Sequence, residues 1–385
     1  MAIHPFQLNI PEALLDDLFL RLSRTRWPDE VEGAGWDYGT NLNYMQELVG
    51  YWRHTYDWRR QEAELNRYAW FTADIGGKEI HFIHERGRGP DRIPLILFHG
   101  WPDSICRYLK VIPMLTDPAR FGGDPADSFD VIVPSLIGDP GVSRSDKTQT
   151  LAKMAEITYR LMTEELGYER FAAGGGDGGS PLSQLLGVHH PESIIGLHLT
   201  DIGFPIAQAN FPDLSDAEQQ YLSALQAWGF FEGAYAMLQG TKPQTLAYGL
   251  SDSPAGYAAW IVEKFHAWSD CNGDLETVFT KDELLTNIML YWTFGPSVRA
   301  VSYREEWVAP SLAPDQQVNV PVGLALPPGD PTSPVPPREY AERNLKDIRR
   351  WTVLERGGHF TAMEVPEIMA REIRAFFRPL RELYG

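Results

Sequence analysis

The sequence predicts an α/β protein: a mostly parallel sheet with helices on both faces, a helical cap over one edge, and a helical segment in front. Three observations carry this prediction. Short apolar runs at Pro94 to Phe98, Phe129 to Pro134, Arg170 to Ala173, Ile194 to Leu199, Val320 to Leu326 and Trp351 to Leu354 alternate with loops and helical stretches. Strands apolar on both faces belong in a parallel sheet covered on both sides. A glycine-rich turn, Gly174 to Gly179, follows the third run, and between about 205 and 310 the strand pattern gives way to helical spacing.

Taken in order, residues 1–68 read as an N-terminal helical segment expected to pack on core and cap. Pro11 suits a first helical position, and Leu14, Leu15, Leu18 and Leu22 recur at helical spacing until Trp27-Pro28. A second amphipathic stretch carries Leu42, Met45, Leu48, Val49 and Trp52. Two β-prone runs, 70–75 and 79–84, flank Gly76-Gly77 and predict a hairpin. His81 and His84 are three apart on one strand, so they face opposite ways and are read as structural. Residues 69–205 form the first part of the core, with Leu151 to Leu166 as a crossover helix. The cap is expected over 206–310, with helices at Ala217 to Trp228, Ala255 to Trp268 and Lys281 to Thr293. Residues 311–385 return the chain to the sheet.

Bulk properties narrow the function. The chain has 385 residues and a net charge of −18, with no basic block, which argues against nucleic acid and anionic membranes as partners. Two distant cysteines, Cys106 and Cys271, make neither a disulfide framework nor a thiolate zinc site. No apolar run approaches the length of a membrane span, and the N-terminal stretch is too polar for a signal peptide. A cytoplasmic protein without metal or cofactor is the expectation.

The chemistry centres on Gly174-Gly175-Gly176-Asp177-Gly178-Gly179. Three readings compete: a flexible loop with an incidental acid, a dinucleotide fingerprint with Asp201 as the ribose acid, or a carboxylate nucleophile on a strand-to-helix elbow. The chain order decides. At least two strands precede the turn, whereas a dinucleotide fingerprint belongs on the first. Three further loops also leave strand ends: His99-Gly100-Trp101-Pro102, Pro327-Pro328-Gly329-Asp330-Pro331 and Gly357-Gly358-His359-Phe360. Asp177, Asp330 and His359 then follow the order nucleophile, acid, histidine.

These motifs, with Arg24-Thr25-Arg26-Trp27-Pro28, Thr241-Lys242-Pro243 and Asp252-Ser253-Pro254, resemble the epoxide hydrolases of the α/β-hydrolase superfamily, in particular the microsomal-type branch and its soluble bacterial and fungal relatives. The resemblance implies a cofactor-independent hydrolase that opens a small apolar or aromatic epoxide to a vicinal diol through an ester on Asp177. It implies His359 as the base for the hydrolytic water, Asp330 as its partner, and the cap tyrosines Tyr235 and Tyr303 as donors to the ring oxygen. Backbone N–H groups of Trp101 and Gly178 would form the oxyanion hole, with a cis bond at Trp101-Pro102. Glu305, Glu306 and Asp315 are alternatives to Asp330.

Two departures stand out. Gly178 occupies a position where the family usually has an aromatic, and Gly138-Asp139-Pro140 replaces another. Asp139 is read as a solvated loop residue rather than a substrate contact. The alternatives are a haloalkane dehalogenase, an esterase, or a non-catalytic ligand-binding relative. The sequence does not set the oligomeric state; a homodimer is kept as the partner expectation.

Overall fold

The computed structural model describes residues 3–135, 150–203, 211–294, 299–308, 312–313 and 316–383. Asp139 with its Gly138 to Ser143 stretch, and Asp315, lie outside the described residues. Nine strands form one sheet in the order β1-β2-β3-β5-β4-β6-β7-β8-β9. They are β1 His4–Pro5, β2 Trp70–Asp74, β3 Glu79–Glu85, β4 Ile93–Phe98, β5 Phe129–Pro134, β6 Phe171–Gly175, β7 Ile194–Leu199, β8 Val318–Leu326 and β9 Leu345–Val353. The run from β5 to β9 is parallel, and β1, β2 and β3 add an antiparallel edge.

The strands that hold the site are fully buried. Every residue of β4, β5, β6 and β7 is buried, as a sheet covered on both faces requires. The β2–β3 hairpin turns through Gly76 and Gly77 at φ 65° and 82°, the left-handed conformation that a two-residue turn demands.

The N-terminal segment supplies α1 Glu12–Ser23, α2 Leu42–His54 and α3 Trp58–Leu65, and α4 Ile112–Thr116 follows β4. Leu15, Leu18 and Leu22 of α1 and Met45, Leu48, Val49 and Trp52 of α2 are buried, each stripe at helical spacing. Two elements escape the sequence reading. β1 pairs with β2, so the segment is not purely helical. The helix α3 has only three buried residues, Trp58, Glu62 and Leu65, too faint a stripe to register, and is fixed instead by the Asp57 side chain capping the Arg60 N–H.

Helices α5 Leu151–Arg160 and α6 Gly179–His189 flank the sheet. The predicted crossover helix changes after Arg160 into a π-helical turn, Leu161–Glu165. Between β7 and β8 the described elements are helical: α7 Asp216–Phe231, α8 Ala234–Thr241, α9 Pro243–Asp252, α10 Pro254–Trp268, α11 Lys281–Phe294 and α12 Arg299–Val308. The N-terminal segment grips this layer. Thr40 Oγ1 donates to the Ala259 carbonyl at 2.8 Å, the Tyr51 hydroxyl to Asp282 at 2.8 Å, and Tyr56 shares a 3.0 Å bond with Thr286. The short helices α13 Arg338–Glu342 and α14 Thr361–Glu364 and the longer α15 Pro366–Phe377 complete the chain.

Candidate active site

Because β4, β6, β8 and β9 run parallel, the loops that leave them open at one edge of the sheet. Asp177 follows β6 on a sharp turn into α6 and holds φ 55°, in the left-handed region that a non-glycine residue occupies only at a cost. Its neighbours hold it there. Asp201, just past β7, accepts the Asp177 N–H at 2.8 Å and the Gly203 N–H at 2.8 Å through its other oxygen.

The Asp177 carboxylate is split between two environments. Oδ1 accepts the N–H groups of Trp101 at 3.0 Å and Gly178 at 2.6 Å. The Trp101 contact requires close approach of the preceding loop residue, and a Cβ on Gly100 would stand 2.2 Å from Oδ1. Oδ2 has no hydrogen-bond partner and lies 3.4 Å from His359 Nε2, which has none either. On the far side of the ring, Nδ1 meets Asp330 Oδ2 at 3.0 Å. Thr332 Oγ1 donates to Asp330 Oδ1 at 2.7 Å and lies 2.9 Å from the same Nδ1. All three side chains are buried: 5% of Asp177, 6% of Asp330 and 4% of His359 is exposed.

The predicted tyrosines stand at the same place. Tyr235 stacks on Trp101 with ring centroids 5.1 Å apart, Tyr303 meets Trp101 edge-on at 6.1 Å, and the two tyrosine rings lie 6.2 Å apart. Burial raises both phenols, and the nearby Asp177 charge adds to the effect, so both keep their protons at neutral pH. The Trp101-Pro102 peptide is cis, as the resemblance implied. Of the alternative acids, Glu306 is turned away to the start of α5, where it accepts the Leu151 N–H at 2.7 Å.

A cavity of about 20 Å³, room for one water molecule, is lined by Asp177, Asp201, Gly203, Tyr221, Leu225, Thr332, Ser333 and His359. A larger cavity of about 400 Å³ lies between residues 25–45 and the start of α10 and touches none of the five predicted catalytic side chains.

Comparison with known proteins decides the family. The chain matches "Epoxide hydrolase N terminus" over residues 3–108 and "alpha/beta hydrolase fold" over residues 93–234. It is 41% identical to a Stigmatella aurantiaca protein over 99% of this chain and 86% of that one. It is 32% identical to "Epoxide hydrolase 1" of Sus scrofa, across 99% of this chain and 90% of that protein. Among solved structures, the Aspergillus niger epoxide hydrolase superposes with a TM-score of 0.84 at 28% identity, covering 99% of this chain and 97% of that one.

The chain belongs to the epoxide hydrolase family. It has the α/β-hydrolase fold and is a hydrolase acting on the ether bond of an epoxide, with epoxide and water as its substrates. Among the described residues no helix is long and apolar enough to cross a membrane.

In this epoxide hydrolase, burial alone would raise the Asp177 carboxyl. The charge of His359, whose Nε2 lies 3.4 Å from Oδ2, with the Trp101 and Gly178 N–H groups, outweighs it and holds Asp177 below the usual carboxylate range. Burial would lower His359, but the charge of Asp330, the bond to Asp330 and the nearby charge of Asp177 carry it up to about 10.

Several supporting residues escaped the sequence reading. Glu364 accepts the N–H groups of Asp270, Gly358 and Phe360 at 2.9, 2.8 and 2.8 Å, which fixes the loop carrying His359. Its place on α14, five residues after His359, was the only trace it left. Arg107 is fully buried, pairs with Asp103 and donates to the His359 carbonyl at 3.2 Å, while Asp103 accepts the Gly100 N–H at 2.9 Å. Helix α11 clamps the same loop: Asn287 donates to the Pro102 carbonyl at 2.8 Å, Ser104 to Asn287 at 2.7 Å, and Tyr291 to the Asp103 carbonyl at 2.6 Å. Asp201 was visible as an acid after the next apolar run, but its partner is the Asp177 backbone rather than a ribose. Thr332 left no signal in its proline-rich loop.

Proposed function

We propose that Asp177 opens the epoxide by direct attack and that His359, oriented by Asp330, drives hydrolysis of the resulting ester. One observation carries this reading: Oδ1 of Asp177 is occupied by two backbone donors while Oδ2 is unpartnered and faces His359. A carboxylate held below its usual range is ionised at neutral pH and needs no base to become a nucleophile.

In the first step an Asp177 oxygen bonds to an epoxide carbon and the carbon–oxygen bond of the ring breaks. The ring oxygen takes a proton from Tyr235 or Tyr303, and the imidazolium of His359 returns a proton to the tyrosinate. Esterification removes the Asp177 charge, one of the groups that raise His359, so the imidazolium gives up its proton more readily and is left as a neutral imidazole able to accept one from water. In the second step water attacks the ester carbonyl and gives its proton to His359 Nε2. Negative charge develops on Oδ1, where the Trp101 and Gly178 N–H groups already point. Collapse releases the diol, whose leaving oxygen takes the proton from His359; the Asp177 carboxyl group, which keeps the water's second proton, then passes it to His359, restoring the carboxylate and the imidazolium.

The reading extends to the rest of the chain. Residues 206–310 act as the cap that excludes water, 1–68 as the segment that fastens it, and 69–205 with 311–385 as the core. The aromatic surroundings of Asp177 favour a small apolar or aromatic epoxide. A homodimer and a cytoplasmic location belong to the same proposal, to be checked by sedimentation and by cell fractionation.

The test is direct. Styrene oxide with the wild-type protein yields the diol, and Asp177→Ala yields none above the uncatalysed rate. His359→Gln accumulates the ester, seen as the mass of the intact epoxide added to the peptide containing Asp177. Equal diol formation by wild type and Asp177→Ala refutes the assignment.

A further inference from the structure

We propose that Gly178 sets which epoxides the site accepts: by leaving the space beside Asp177 unfilled, it admits epoxides with a bulky aryl or branched substituent on or next to the attacked carbon. The inference rests on Asp177 being the nucleophile.

Five glycines flank Asp177 along the chain, and four are there because nothing larger fits. A Cβ would stand 2.6 Å from the His198 carbonyl oxygen at Gly174 and 2.5 Å from the Phe98 carbonyl oxygen at Gly175. At Gly176 it would lie 2.1 Å from the Thr200 hydroxyl, and at Gly179 2.2 Å from the Phe98 carbonyl oxygen. Real Cβ atoms essentially never come within 3.0 Å of such neighbours. Each of these positions is set by the packing of the elbow between β4, β6 and β7.

Gly178 differs on both counts. Its φ of −58° and ψ of −23° are ordinary right-handed values open to any residue. A Cβ there would meet no atom within 4 Å among the described residues. Neither conformation nor contact among the described residues demands glycine there, and the helix that follows would start as well from several other residues. What the glycine provides is the space itself.

That space adjoins the reacting atoms. The N–H of Gly178 donates to Asp177 Oδ1, so a side chain at 178 would rise from the residue next to the attacking carboxylate. The other surroundings are rings that cannot give way easily: Trp101 under Tyr235, Tyr303 edge-on to both, and Trp268 at 5.1 Å from Tyr235. With the epoxide oxygen held at the tyrosines and its carbon at Asp177, a substituent too large to share the ring-lined side would extend over residue 178, where the described residues leave space. An aromatic side chain there would close it.

The experiment compares kcat/KM for 1,2-epoxybutane and for trans-stilbene oxide in wild type, Gly178→Ala, Gly178→Leu and Gly178→Trp. The ratio of bulky to small substrate is expected to fall stepwise with side-chain size, by on the order of 100-fold at Trp, in the range that steric discrimination in an apolar pocket reaches. Thermal melts accompany each variant; if Gly178→Trp fails to fold, the Ala and Leu variants carry the comparison. A constant ratio across the folded variants overturns the proposal. So does a wild type that hydrolyses only the small epoxide, or failure of all three variants to fold, which would mean that the space is already filled. A wild type inactive on both epoxides overturns the underlying reading of Asp177 instead, and is told apart by that result alone.

Discussion

Asp201 offers the sharpest test of how the elbow is held. Its carboxylate is buried and accepts the Asp177 and Gly203 N–H groups, one on each oxygen. Burial, with the Asp177 charge adding to it, outweighs those bonds and pushes the group up to about 6 from an ordinary 3.8. A raised acid stabilises the native state most below its unfolded value, where it is protonated in both states; that contribution is lost as the pH rises through about 6. The gap corresponds to roughly 3 kcal/mol lost between about pH 4 and 6. For 385 residues, an unfolding entropy of about 0.8 kcal/mol/K turns this into about 4 °C. Asp201→Asn does not titrate, so its Tm relative to wild type should rise by about 4 °C over that window. The amide also turns an N–H donor toward one of the two backbone N–H groups, which loosens Asp177, and kcat should fall by about 10- to 100-fold with little change in KM. The assay is a thermal melt series from pH 4 to 8 beside steady-state kinetics at pH 7.5. Parallel Tm–pH curves for the two proteins, with kcat unchanged, would refute the reasoning.

Three further outcomes follow from the same geometry. His359 is raised to about 10, so its stabilising effect is complete below the ordinary 6.5 and lost between there and about 10; His359→Gln should lose less Tm than wild type across pH 6.5 to 10. Arg107→Met strands the buried Asp103 carboxylate and should destabilise by about 3–5 kcal/mol in urea titration, while Arg107→Met with Asp103→Leu should recover part of that loss. Thr332→Val removes a hydroxyl bond to Asp330, and should cost about 0.5–1.5 kcal/mol of stability by denaturant titration and alter the pH dependence of kcat more than KM.

Much of this was readable from residue types alone. The buried parallel strands announced themselves because burial on both faces leaves an unbroken apolar run, as in Leu95 to Phe98. Asp177, Asp330 and His359 were legible because each sits where a strand ends, flanked by glycine or proline. What the sequence hid was held by long-range partners. Glu364, Asp201 and Thr332 act on backbone N–H groups or on another side chain's free oxygen, contacts that leave no periodicity. The β1 strand is two residues long and exposed, and exists because β2 offers it an edge. Tyr235 and Tyr303 were singled out by local motif and not by pattern, since nothing in helical spacing distinguishes a tyrosine that packs on Trp101 from one that packs elsewhere.

The hold of α11 on residues 102–104 has a consequence for motion. The N–H that points at Asp177 belongs to Trp101, and the peptide beside it is tied to Asn287. The roof cannot swing outward as a hinged door without dragging that donor off the carboxylate. Any outward movement of α11 would therefore be felt at the attacking carboxylate, so the helical layer and the donor that steadies Asp177 move as one unit.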